Sequence, residues 1–371
     1  MKLSMSPLDE IGEIRKIDES NMLAFCTEAS KHYMEAAKIA EKLSISYSKP
    51  ANIIVAGMGG SAVSGELLKD WARNKINVPI EVNREYSLPA YANKNTLVLV
   101  TSYSGETEES LSAFLDATKR KCMTMCISSG GTLQTFAEKL GVPHLRVPAG
   151  MAPRATLPYL FMPLPILLEK IGLVSDVTPE ISETIEALKL VSAANSPEIP
   201  LKNNFSKSLA SSICGTVPVV YGFGFYRAVA QRFKTQFNEN SKIPAKWEVF
   251  SELDHNEIVG WEQHGKLTKN FSVILIRDKA EPAEVRSRIE TTKTLMLPAV
   301  SKTFEVWAQG EGTLAKMLST ICIGDFTSVY LAILRKIDPT PVKTIALLKE
   351  QVQRTGVKEK IIRELAKIAA K

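Results

Sequence analysis

A chain of 371 residues with 45% hydrophobic content is long enough for two domains of ordinary size and can fill a core in each, which excludes a disordered or fibrous protein. Its 46 basic residues exceed its 40 acidic ones by 6, an excess scattered along the chain apart from a basic stretch at 358–371. That stretch alternates apolar and charged residues at helical spacing, so it reads as a solvated helix face and not as a nucleic-acid arm; an acidic small molecule suits the balance as well.

In chain order, residues 1–15 lack the apolar core of a signal peptide, and 21–43 reads as a helix capping one face. From 52 to 148 short β-branched runs alternate with amphipathic segments, the pattern of βαβ units around a parallel sheet. Strands are expected at 52–56, 79–82, 96–101, 122–127 and 144–147, and helices at 61–74, 106–120 and 132–140. Between 148 and 207 prolines mix with helical patterns at 157–170 and 179–193, as in an inter-domain crossover. The apolar stretch at 157–168 is broken by Pro158, Pro163 and Pro165, so no membrane span is expected. The α/β pattern then restarts, with strands at 217–221, 272–276 and 303–307 and helices at 225–237, 283–295 and 312–336. The fold class is α/β, a duplicated architecture in which each half is a doubly wound parallel sheet flanked by helices. The expected domains are 1–150, a crossover at 151–207, and 208–371 with the C-terminal helices. The five cysteines, Cys26, Cys122, Cys126, Cys214 and Cys322, are odd in number and dispersed. They imply neither a disulfide framework nor a zinc site, and point to a reducing cytoplasm.

Two turns carry most of the functional information. Gly57-Met58-Gly59-Gly60-Ser61-Ala62 and Ser102-Tyr103-Ser104-Gly105-Glu106-Thr107 each follow an apolar strand and open a helix. Small residues let backbone N–H groups approach a ligand, the helix start lends partial positive charge, and Ser102, Ser104 and Thr107 add hydroxyls, so a phosphate is the expected guest. A dinucleotide is disfavoured. The next strand offers Glu81 followed by Val82-Asn83-Arg84, and Ala62 stands at the third glycine position. An ordinary helix cap, with Ser104, Thr107 and Glu108 forming a capping box, is the competing reading of the second turn. In the later half Gly222 and Gly224 align with Gly57 and Gly59, but Phe225 and Tyr226 replace Gly60 and Ser61, so only the first half is expected to keep a phosphate cradle.

These two turns, with Pro153-Arg154, Asn238-Glu239-Asn240-Ser241-Lys242 and Asp254-His255-Asn256, resemble the bifunctional phosphoglucose/phosphomannose isomerase family in order and local context from about 53 to 349. The resemblance implies two sugar-isomerase (SIS) domains, the first holding the sugar phosphate through Gly60, Ser61, Ser102, Ser104 and Thr107. It also implies aldose–ketose interconversion of a hexose 6-phosphate through an enediol, without metal or organic cofactor. That chemistry needs a ring-opening acid, a carboxylate that moves a proton between adjacent carbons, and a cation for the oxyanion. By resemblance Glu239, among polar neighbours, is the base. His255, of the residue type suited to proton exchange near neutral pH, is the acid, reaching the neighbouring subunit's site in a homodimer. Arg154 is the cation. His32, His144 and His264 have no comparable company. The family's C-terminal lysine falls on Lys349, with Lys343 as the rival, and Thr340 or Val342 occupies a position linked to the mannose epimer. The chain is longer than compact members, in the crossover and after His264. Four dispersed histidines do not make a zinc-dependent mannose isomerase. A non-catalytic SIS sugar-phosphate sensor would carry a helix-turn-helix module that 1–52 does not convincingly supply, and an SIS enzyme of amino-sugar phosphates is a further alternative.

Overall fold

The computed structural model describes residues 6–263, 265–296 and 298–370; His264 therefore lies outside the described residues. The N-terminal helices are α1 (Ile11–Ile17), α2 (Met22–Thr27) and α3 (Ala29–Glu41), where the sequence suggested one helix over 21–43. Next come β1 (Asn52–Ala56), α4 (Gly60–Ala72), β2 (Ile80–Asn83), β3 (Thr96–Thr101), α5 (Glu108–Lys119), β4 (Met123–Ser128), α6 (Gly131–Lys139) and β5 (His144–Arg146). These strands form one parallel sheet in the order β2-β1-β3-β4-β5. Every residue of β3 and all but Asn52 of β1 are buried, as expected of strands covered by helices on both faces. The strand order reverses between β1 and β3, and ligands of such sheets bind beyond the strand ends at that reversal.

Three helices follow, α7 (Leu157–Phe161), α8 (Pro163–Lys170) and α9 (Thr178–Asn195), and then α10 (Phe205–Ile213) leads into the second half. That half contains β6 (Val217–Phe223), α11 (Arg227–Glu239), β7 (Lys246–Phe250), β8 (Phe271–Arg277), α12 (Ala283–Met296), β9 (Lys302–Trp307) and α13 (Thr313–Leu334). Its sheet, β7-β6-β8-β9, is parallel throughout and repeats the order of the first four strands of the other sheet. The strand β7 was not expected. Its Lys-Trp-Glu-Val-Phe sequence is half-exposed at a sheet edge and lacks a continuous apolar run. Helix α13 is long and apolar enough to cross a membrane by length and composition, but 89% of its most apolar window is buried, as befits the core helix of its unit.

The last helices, α14 (Lys343–Gln353) and α15 (Val357–Ala369), correct the domain limits read from sequence. The chain divides into one unit of residues 32–178 with 342–371 and another of 1–31 with 179–341. Helix α15 belongs with the first sheet because its i, i+4 pair Ile361 and Leu365 is buried in the core that contains Phe114 of α5 and Phe136 of α6. Lys358 at its start forms an ion pair with Glu106. Glu106 also accepts from the Thr132 backbone N–H at 2.6 Å. Burial works against the Glu106 charge, but the bonds from Lys358 and Thr132 outweigh it and hold the carboxyl below its ordinary value. Stability from a lowered carboxyl is present above the unfolded value and is lost as pH falls through the folded one. The stability gap between the parent and Lys358→Met should therefore be full above about pH 4.5 and close on further acidification, as urea midpoints measured across that range would show.

Candidate active site

The two glycine and serine turns lie side by side at the ends of β1 and β3. Helix α4 starts at Gly60 after Gly59, whose φ of +53° admits a glycine readily, and no side chain caps it. Thr101 at the end of β3 joins the two turns by donating to the Ser61 carbonyl at 3.2 Å. The second turn opens α5. Thr107 occupies the capping position, yet its hydroxyl makes no bond to the helix and instead accepts from Ser102 Oγ at 3.0 Å. The capping box permitted by the sequence does not form; Ser104 Oγ accepts from the Glu106 N–H at 3.2 Å. Two helix starts without side-chain caps thus converge at one reversal point, with Ser61 and Ser102 buried and Thr107 half-buried beside them. This arrangement can hold a dianion by N–H dipoles and hydroxyls.

Arg154 joins this group. It stands in the 3-10 turn Pro153–Thr156 and is only 2% exposed. A Cβ at Gly60 would lie 3.3 Å from the Pro153 carbonyl oxygen and 3.8 Å from the Arg154 Cα, so glycine lets this segment close over the turn. The structure therefore brings Gly60, Ser61, Ser102, Thr107 and Arg154 into one region, with Ser104 exposed at its rim.

A further device holds the second turn and was not read from the sequence. Gly105, at φ +68°, abuts the turn after β4 so closely that a Cβ would sit 1.9 Å from the Gly130 carbonyl oxygen. The Leu133 N–H donates to the Gly105 carbonyl at 3.0 Å, and the Ser129 N–H donates to the Tyr103 carbonyl at 2.8 Å. Adjacent Gly130 and Gly131 at the end of a buried strand are the sequence signal that could have revealed this close approach.

The corresponding reversal point of the second sheet is filled. The buried Tyr226 phenol donates to Asp278 Oδ2 at 2.8 Å, and Lys316 Nζ pairs with Asp278 Oδ1 at 3.1 Å. Arg277, the last residue of β8, is taken up by Glu281 at 2.6 Å and Glu290 at 2.7 Å, and by Glu305. An aromatic ring and a carboxylate occupy the space an anion would need, in line with the replacement of Gly60 and Ser61 by bulky residues.

Glu239 is the last residue of α11 and half-buried, where the sequence placed it just beyond the helix. Its neighbourhood is built from polar anchors. Asn240 Nδ2 donates to Ser328 Oγ at 2.9 Å, Ser241 Oγ donates to the Ser328 carbonyl at 2.6 Å, and Asn238 Nδ2 donates to the Ile243 carbonyl at 2.8 Å. Lys242 Nζ donates to the Glu239 carbonyl and, at 2.8 Å, to the Pro339 carbonyl, so the 338–341 run singled out in the sequence meets the Glu239 loop.

His255 closes the 3-10 turn Glu252–His255 and is exposed. Because α11 runs back from the end of β6, Glu239 lies at the edge where the strands begin, whereas His255 follows β7 at the edge where they end. The five residues of β7 set these edges roughly 17 Å apart. Within one unit the carboxylate and the imidazole are therefore not brought together. Lys343 and Lys349 both lie on α14, which has no buried residue; Lys349 shares a helix face with Ile345, Leu348 and Val352.

Residues 202–352 match the family described as bacterial phospho-glucose isomerase C-terminal SIS domain. A bifunctional phosphoglucose/phosphomannose isomerase of Caldicellulosiruptor bescii is 41% identical over 301 residues, covering 81% of this chain and 89% of the relative. A D-glucosamine-6-phosphate 4-epimerase of Sulfolobus acidocaldarius is 33% identical over 207 residues, covering 54% of this chain and 61% of the relative. Among solved structures, that of a putative phosphosugar isomerase of Clostridium difficile 630 superposes with a TM-score of 0.68 at 15% identity, covering 87% of this chain and 95% of the other, which is a likeness of fold. With two parallel sheets of like strand order and a relative of this identity matched over most of its length, the chain belongs to the bifunctional phosphoglucose/phosphomannose isomerase family.

Proposed function

We propose that this protein is an aldose–ketose isomerase that interconverts glucose 6-phosphate, and mannose 6-phosphate, with fructose 6-phosphate through a cis-enediol. The observation that carries the reading is the pair of helix starts without side-chain caps at the β1/β3 reversal, lined by Ser61, Ser102 and Thr107 and bordered by Arg154. The phosphate is anchored there, with Gly60 and Ser104 completing the turns. His255 protonates the ring oxygen as the bond to the anomeric carbon breaks and the anomeric hydroxyl gives up its proton. Glu239 removes the proton from the second carbon and returns it to the first, the hydroxyl proton of the second carbon passes to the oxygen of the first, and the Arg154 guanidinium steadies the negative charge on the enediolate oxygen. Lys349 is the C-terminal lysine of the site, since its helix face carries the apolar residues that a covering surface would bury. All five cysteines are free thiols, which suits a cytoplasmic enzyme.

The separation of Glu239 and His255 across β7 supports a homodimer in which each subunit lends its imidazole to the other. That arrangement predicts complementation. Glu239→Gln and His255→Gln each keep only a small residual rate alone, but subunits mixed and re-paired in equal amounts form sites that escape both lesions. About a quarter of parental turnover should return, measured with glucose 6-phosphate in a coupled assay. No recovery after verified subunit exchange would overturn the shared site. Turnover of glucosamine 6-phosphate without turnover of glucose 6-phosphate would overturn the substrate assignment.

A further inference from the structure

Resting on the reading of His255 as the ring-opening acid, we infer that two hydrogen-bonded clamps, Tyr221 with Glu257 and Thr292 with Asp254, are positioning groups that hold the exposed imidazole for its substrate. His255 is an exposed side chain on a segment without regular α or β structure, and among the described residues its ring accepts or donates no hydrogen bond within the unit. The segment that carries it is nevertheless fixed on both sides. Immediately before it, Asp254 Oδ1 accepts from Thr292 Oγ1 at 2.8 Å and Oδ2 from Arg288 Nη1 at 3.2 Å, both donors on α12. Two residues after it, Glu257 Oε1 accepts from the Tyr221 phenol at 2.5 Å and Oε2 pairs with Lys246 at 2.7 Å.

The second clamp reaches the centre of the sheet. Tyr221 lies in β6 and is fully buried, its ring edge-on to Phe250 at 6.0 Å between centroids. Its hydroxyl also accepts from Trp261 Nε1 at 3.2 Å, and Trp261 packs edge-on against Phe271 of β8 at 5.5 Å. Burial and the Glu257 charge both raise the Tyr221 phenol, so it stays protonated and donates. Asn256 bridges the 3-10 turns Glu252–His255 and Glu257–Trp261, accepting from the Glu257 N–H at 2.5 Å and donating to Glu252 Oε1 at 2.6 Å. Drawing two carboxylates out of water within four residues costs desolvation that apolar side chains would avoid. A rigid platform for an acid that must meet a ring oxygen supplies a reason, because misplacement of about 1 Å can cost up to roughly a hundredfold in rate.

The test is a double-mutant cycle. Tyr221→Phe keeps the ring and removes only the hydroxyl; Thr292→Val does the same for the other clamp and serves if the first fails to fold. Each should lower kcat for glucose 6-phosphate about tenfold with KM changed less than about twofold. In a His255→Gln background neither should lower kcat further, since a group that acts through the imidazole has nothing left to position. Glu257→Gln, which can still accept from Tyr221, should retain most of the rate. An equal fall in both backgrounds, or no fall in the parent, would overturn the inference. If His255→Gln alone keeps the parental kcat, the assignment of the acid fails instead, and the clamps with it.

Discussion

Glu239→Gln is expected to lower turnover of glucose 6-phosphate by about 10²–10⁴ while leaving the fold and phosphate binding intact. The amide has the shape of the acid but cannot take a proton, so exchange of the proton on the second carbon with heavy water should cease together with net isomerisation. The anchors around it, Ser328 with Asn240 and Ser241, and Lys242 with Pro339, do not depend on the carboxylate charge. A non-reacting sugar-acid phosphate should bind parent and variant alike by calorimetry. Retained turnover would remove Glu239 from the mechanism.

Gly105→Ala is expected to produce the largest structural effect of a single methyl group. The added Cβ would meet the Gly130 carbonyl oxygen at 1.9 Å, on a residue whose φ is +68°. Backbone strain of about 1–3 kcal/mol and a clash of similar size combine, because neither turn can retreat without losing strand-end hydrogen bonds. A loss of roughly 3 kcal/mol or more should appear in urea unfolding, with weaker binding of hexose phosphates as Ser102 and Thr107 shift. A variant that loses less than about 1 kcal/mol would show that the two turns are not locked together.

The strands of both cores were legible because β1, β3, β6 and β8 are buried runs of apolar, mostly β-branched residues, a signal that needs no tertiary information. Edge strand β7 was not, since alternating charge and bulk over five residues suits a loop equally well. The amphipathic stripe of α15 announces a buried face but not which sheet will bury it, so the return of the C-terminus to the first unit could not be read locally. In the site, residue types in the two turns carried the anion reading, and the family resemblance supplied Arg154, Glu239 and His255. The Tyr221 and Glu257 clamp spans 36 positions and leaves no local pattern, as does the Tyr226 and Asp278 contact, whose partners are 52 apart.

The filling of the second reversal point by Tyr226, Asp278 and Lys316 has a consequence for how the molecule counts its ligand. The proposed function makes one receptor of two copies: titration should saturate at one hexose phosphate per polypeptide, the later copy, relieved of gripping, being assigned to proton transfer.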